Sequence, residues 1–212
     1  MPENAARGAT NDRAIFLNCP FDEAYRPIFD ALVFAAFDCG HVPRCALEFD
    51  DSGETRLEKI IGLIGDCPFG VHDISRTELD DRHGLPRFNM PFELGLFMGA
   101  ARFGEEQQKR KVCLVLDREP YRFQKFLSDI AGQDIKAHGD DPATAIGALR
   151  AWLATLCKRD LLPGGTSIHG RYVEFRRQLP ELLRSLHIAP DEMVFNDYTN
   201  IVSEWLRLNP RA

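Results

Sequence analysis

Asn18 and Asp73 each close a short apolar run, and Glu93 stands at the head of a third apolar segment, four residues after Asn89. Two carboxylates and an amide gathered at one place suit chemistry at the anomeric carbon of a sugar. Cleaving an N-glycosidic bond builds an oxocarbenium-like centre. A nearby carboxylate can stabilise that cation, attack it, or hold the ribose hydroxyls. A helix N-terminus beside such a site suits a ligand phosphate. Glu93 also has a plainer reading, as a carboxylate complementing a helix dipole. A capping box would place it three residues after the cap, and the spacing from Asn89 is four.

The elements that would position these groups follow from the apolar pattern. Ala14-Ile15-Phe16-Leu17 reads as a buried strand ended by Asn18-Cys19-Pro20. A helix is predicted over 23–39, ended by Gly40. Pro43 to Phe49 reads as a second strand, Glu54 to Cys67 as a helix with Leu57, Ile60, Ile61 and Ile64 inward, and Phe69 to Ile74 as a third strand. The helix carrying Glu93 follows, with Asn89 as its N-cap and Pro91 in its first turn. Gly95 and Gly99 lie four apart on one stripe, which predicts close packing on a neighbouring backbone. Lys111 to Asp117 is the clearest strand. Tyr121 to Ile130 reads as a short helix, Asp134 to Ala137 as a short edge strand, and Pro142 to Lys158 as a helix.

Strands alternating with helices predict an α/β fold: a flavodoxin-like open sheet of five parallel strands in the order 2-1-3-4-5, helices on both faces. Ligands of such sheets bind beyond the carboxyl ends of the strands where the order reverses, here between strands one and three. Asn18 and Asp73 are therefore expected to face each other across that crevice, with Glu93 beside them. Residues 1–13 read as a disordered tail, 14–162 as the α/β domain, and 166–212 as a helical appendix beyond the Leu162-Pro163-Gly164-Gly165 boundary. Phe175, Leu179, Leu182, Leu183, Leu186, Trp205 and Leu206 of the appendix need a surface to cover, on the domain or on a second copy.

Composition narrows the function classes. The chain has 212 residues, 44% of them hydrophobic, and a net charge of −6 with no long basic run, so nucleic-acid binding is not favoured. No apolar run is long enough to span a membrane, and the polar N-terminus does not read as a signal peptide. Six cysteines without a CxxC, most of them in apolar segments, predict reduced thiols and a cytoplasmic protein. GxGxxG and GxxxxGK[ST] are both absent. A receiver domain would want an acidic pair after strand one, where Asn18-Cys19 stands. Glu78, Asp80, Asp81 and His83 lack metal-ligand spacing and read as a solvated acidic loop, so no metal is expected. Cys19 could be a nucleophile at a helix N-terminus, but no His is placed as its base, which favours a core thiol.

Three segments carry a resemblance. Phe16-Leu17-Asn18-Cys19-Pro20-Phe21-Asp22-Glu23-Ala24-Tyr25 resembles the opening strand and PFD-x-x-Y turn of the nucleoside 2′-deoxyribosyltransferase-like and TIR-like nucleotide-binding proteins. Asp73-Ile74-Ser75 is similar to their strand end, and Asn89-Met90-Pro91-Phe92-Glu93-Leu94-Gly95 to their N-x-x-x-E-[LI]-G segment. The resemblance covers about residues 14–117. It implies that Glu93 is the catalytic residue and that Asp73 binds sugar or base. It also implies that Asn18, Cys19, Pro20, Phe21 and Asp22 line the pocket, with Ser75, Asn89 and Pro91 as further substrate contacts. The implied activities are base exchange on deoxynucleosides and cleavage of NAD or a related nucleotide, the latter often in bacterial antiviral defence. NAD would then be a substrate rather than a cofactor. The appendix, and Asn18-Cys19-Pro20 in place of the exchange enzymes' usual Gly-Pro, tilt the reading to a defence-type nucleotide hydrolase. That reading implies a homo-oligomer or a defence-system partner protein. A non-catalytic nucleotide sensor or adaptor is the reading from another class.

Overall fold

A computed structural model describes residues 12–79, 84–156 and 161–211. The N-terminal stretch through residue 11, the loop residues Asp80, Asp81 and His83, and Cys157 lie outside them. The sheet has five parallel strands in the order β2-β1-β3-β4-β5, as expected. The strands are β1 (Ala14–Asn18), β2 (Val42–Arg44), β3 (Phe69–Asp73), β4 (Val112–Asp117) and β5 (Lys136–Ala137). The helices are α1 (Arg26–Asp38), α2 (Arg56–Asp66), α3 (Asn89–Phe103), α4 (Pro142–Leu156), α5 (Gly165–Ser185) and α6 (Phe195–Leu208).

Strand alternation sorts the side chains onto two faces. Ile15, Leu17, Val71, Leu114 and Leu116 join the core under α1 and α4. Ala14 and Phe16 face the other way and pack with Ile60, Leu63, Ile64 and Phe97 of α2 and α3. Gly70 is required on that face. A Cβ there would lie 2.6 Å from His72 Nε2 and 2.8 Å from the Phe97 ring, so any larger residue would force those two rings to move.

α1 is apolar on nearly every side, because it is covered twice. Its inner face lies on the sheet, and its outer face lies under α5 and α6. Phe34 packs on Tyr172, Phe175 and Trp205, with ring centroids 5.3–5.8 Å apart. Asp30 of α1 is buried, which pushes its carboxyl up, while Arg26 and Arg176 oppose the shift at 2.7 Å each. Tyr198 donates to the Asp30 carbonyl and Tyr172 to the Pro27 carbonyl, so both C-terminal helices are pinned to α1. The surface that the appendix covers is therefore on its own chain. Phe175, Leu179, Leu183 and Trp205 are buried there, whereas Leu186 is exposed.

Four local expectations are corrected. β2 stops at Arg44, because the chain turns into a 3₁₀ segment at Ala46–Glu48 and Glu48 reaches back to Arg44 Nε at 2.7 Å. Tyr121 to Ile130 forms two 3₁₀ turns rather than one helix. In α2 the buried stripe is Ile60, Leu63 and Ile64, leaving Leu57 and Ile61 exposed. Asn89 is the first residue of α3 rather than its cap, the cap position being Phe88, so Glu93 stands in the second turn.

Candidate functional site

Asn18 ends β1 on the α2/α3 face and acts as a clip. Its Nδ2 donates to the Met90 carbonyl at 2.9 Å and lies 3.0 Å from His72 Nδ1. Met90 is in the first turn of α3, so this amide ties the end of β1 to the helix that carries Glu93. Burial pushes the His72 imidazole down to about 3, which keeps it neutral. With Nδ1 accepting from Asn18, the ring proton sits on Nε2, packed against Phe97 and Phe16.

Glu93 is 4% exposed and sits beside Leu94 and Phe97, which are buried with it. Burial raises its carboxyl to about 7, and Arg56 at the start of α2 opposes the shift. No described residue donates a hydrogen bond to it or pairs with it. Asp73 does not contribute to the shift. Phe92, the residue before Glu93, points out and is 55% exposed.

Asp73 lies on the other face of the sheet. The β1–β3 register sets Asn18 beside His72, so Asp73, one residue on, turns toward α1 and α4. There it is fully buried and its oxygens are taken. Oδ2 accepts from the Tyr25 hydroxyl at 2.6 Å and lies 3.0 Å from His138 Nε2. Oδ1 accepts from the Ser75 backbone N–H at 2.8 Å. The Asp140 backbone N–H donates to His138 Nδ1 at 3.0 Å, which puts the His138 proton on Nε2; that nitrogen is close to Asp73 but not aligned for a hydrogen bond with it. Cys19 belongs to this same knot. Burial, then the Asp73 charge, pushes its thiol well above its ordinary range, so it is a core thiol and not a nucleophile. The pairing of Asp73 with Glu93 across one crevice is therefore corrected: strand parity puts the sheet between them.

The remaining candidates divide. Pro20 is buried behind Cys19, Phe21 packs edge-on against Phe29, and Asp22 caps the turn by accepting from the Tyr25 N–H. Asn89 is exposed and Pro91 half-buried. Three groups went unnoticed in the sequence. Arg122 donates to Asp117 at 2.6 and 2.8 Å and to the Ile74 and Ser75 carbonyls, lacing the ends of β3 and β4 together. His138 closes the Asp73 knot. Arg76 stands 3.8 Å from Asp22, spanning the reversal point between β1 and β3. Only the position of Arg76 directly after Ser75 could have flagged it.

One pattern marks this edge of the sheet. Asn18 Oδ1, Ser75 Oγ, Arg76 Nε and Asp117 Oδ2 are buried without a hydrogen-bond partner. They follow the ends of β1, β3 and β4. Buried polar atoms are nearly always satisfied, so a row of unsatisfied ones at a strand-end crevice is what a polar ligand would complete. Among the described residues, no group of three His, Cys, Asp or Glu side chains is arranged to hold a metal ion, and no helix is long and apolar enough to cross a membrane. The five described cysteines are free thiols. No protein-family model matches the chain, and neither the curated proteins nor the solved structures contain a match to it.

Proposed function

We propose that the carboxyl edge of the sheet binds a nucleotide and that Glu93 assists cleavage of its base–ribose bond, with NAD or a related nucleotide as substrate. The observation that carries this reading is a buried Glu93, without a described partner, whose carboxyl titrates near neutrality. A group with that pKa is poised for acid–base or electrostatic work at physiological pH. In the proposed step the C–N bond breaks heterolytically and its electron pair leaves with the base. Positive charge develops on the ribose, where ionised Glu93 stabilises it, and water adds at the anomeric carbon with loss of a proton. The apolar surroundings strengthen the field of the carboxylate on that cation. A cationic base such as nicotinamidium leaves as a neutral molecule and needs no proton donor, so one carboxylate is enough. That matters because Asp73 is committed elsewhere, which weighs against a mechanism using two acids.

The resemblance adds a role in antiviral defence, and the free thiols are in keeping with a cytoplasmic location. The burial of Glu93 favours a second reading, a nucleotide sensor that binds at the same edge without turnover. Incubation with NAD, NADP, ATP and deoxynucleosides, followed by chromatography for released base, separates the two. Base release that Glu93→Gln abolishes supports the glycosidase. Tight binding with no release in either protein supports the sensor.

A further inference from the structure

We propose that the outer face of α3 is a self-association surface, which packs antiparallel on the same face of a second copy of this chain. Phe88, Phe92 and Phe103 are 66%, 55% and 88% exposed. With Gly95 and Gly99 they follow a spacing of four, three, four and four residues, so all five lie on one stripe of the helix. At about 200 Å² per aromatic side chain, the three rings present on the order of 400 Å² of apolar surface. That is about half of what one partner buries in a stable interface of standard size. Gly95, Met98, Gly99, Arg102, Phe103 and Cys113 border a groove of about 620 Å³ along the same helix, which extends the surface toward β4.

The shape of the stripe selects the occupant. Large side chains stand at its two ends and a hollow in its middle. Among the described residues, a Cβ built on Gly95 or Gly99 meets nothing within 4 Å, so no contact with them requires either glycine, although each costs helix stability relative to alanine. A two-fold axis through the midpoint of the glycines brings Phe92 of one copy level with Arg102 and Phe103 of the other. The rings then flank the hollow from both sides, and the helices approach closely where the Cβ atoms are missing. Such a surface is self-complementary, as an isologous contact requires. Arg102 also lies where its guanidinium can cover the facing phenylalanine. Most apolar residues of α5 and α6 are buried against α1, and those left exposed, Val173, Leu186 and Leu208, do not form a stripe of aromatic rings.

Analytical ultracentrifugation of the full chain tests the proposal. The wild type is expected to show a concentration-dependent monomer–dimer equilibrium. Phe103→Asp and Gly99→Leu are each expected to weaken it on the order of tenfold or more. Gly99→Leu carries the discriminating sign. It fills open space on a single chain and improves the helix, so the monomer is expected to melt no lower than wild type while the dimer dissociates. A wild type that stays monomeric up to its solubility limit overturns the proposal, as does a dimer indifferent to both variants. Co-sedimentation of a monomeric wild type with phosphatidylcholine–phosphatidylserine vesicles, lost in Phe103→Asp, would assign the face to a membrane surface and overturn it equally.

Discussion

Asp73 and Glu93 are both carboxyl groups withdrawn from water near the same edge of the sheet, yet the protein treats them in opposite ways. On the α1/α4 face, Asp73 is met by a phenol, an imidazole and a backbone N–H. On the α2/α3 face, Glu93 is buried with the Arg56 charge as the one influence that opposes its shift. A buried acid with its partners supplied holds structure together. One without them carries a cost in its charged form, which is what raises its pKa to about 7. The contrast assigns the two acids separate jobs, which a shared catalytic pair would not.

The largest expected effect breaks the structural half of this contrast. Asp73→Asn leaves Tyr25, His138 and Ser75 facing an amide that cannot serve all three, and is expected to cost about 3 kcal/mol of stability. Thermal or urea melts would show it. A mutant that melts like wild type would mean the knot is dispensable. Next in size is the chemical half. Glu93→Gln is expected to lower base release by about 10²-fold or more without loss of stability, read by single-turnover assays beside a melt.

The third test sharpens the contrast through pH. Glu93 binds its proton more tightly in the folded chain, at about 7, than at its ordinary value of 4.5. Its contribution is therefore favourable below pH 4.5 and is lost as pH rises through 7. Relative to wild type, Glu93→Gln is expected to gain on the order of 2 kcal/mol of stability between pH 4.5 and 8. Urea titrations at the two ends of that window measure it, and a flat difference would mean that Glu93 is solvated. Activity toward a cationic base should rise through the same interval. The smallest effect concerns a third buried acid. Arg176→Ala leaves Asp30 with Arg26 as its remaining salt-bridge partner and is expected to cost about 1 kcal/mol, loosening α5 from α1 without touching base release. A loss of activity there would tie the appendix to the site.

Much of the fold was legible because parallel strands are written as continuous apolar runs, and the helices between them leave few sheet orders. The site was legible only in part. Which residues stand at strand ends can be counted along the chain. Which face each of them takes depends on the register, and the pairing of Asn18 with His72 is set by contacts 54 residues apart. A shift of one position there would have turned Asp73 to the face that carries Glu93. α3 misled for a related reason. It is apolar on several sides, so its periodicity offers more than one inward stripe. The glycine stripe, expected to pack inside, faces out. His138 and Arg122 were invisible for want of a local pattern, since each acts on a residue that the fold brings to it from elsewhere in the chain.

The amide clip between Asn18, His72 and Met90 has a consequence for how the site would report its surroundings. The bond from Asn18 to the imidazole needs an unprotonated Nδ1, and that ring gains its second proton only near pH 3. Glu93 changes charge about four decades of proton concentration away. Over the whole interval in which the carboxyl responds, the mount that holds its helix does not. An acid-dependent signal from Glu93 is then the movement of one needle on a fixed dial.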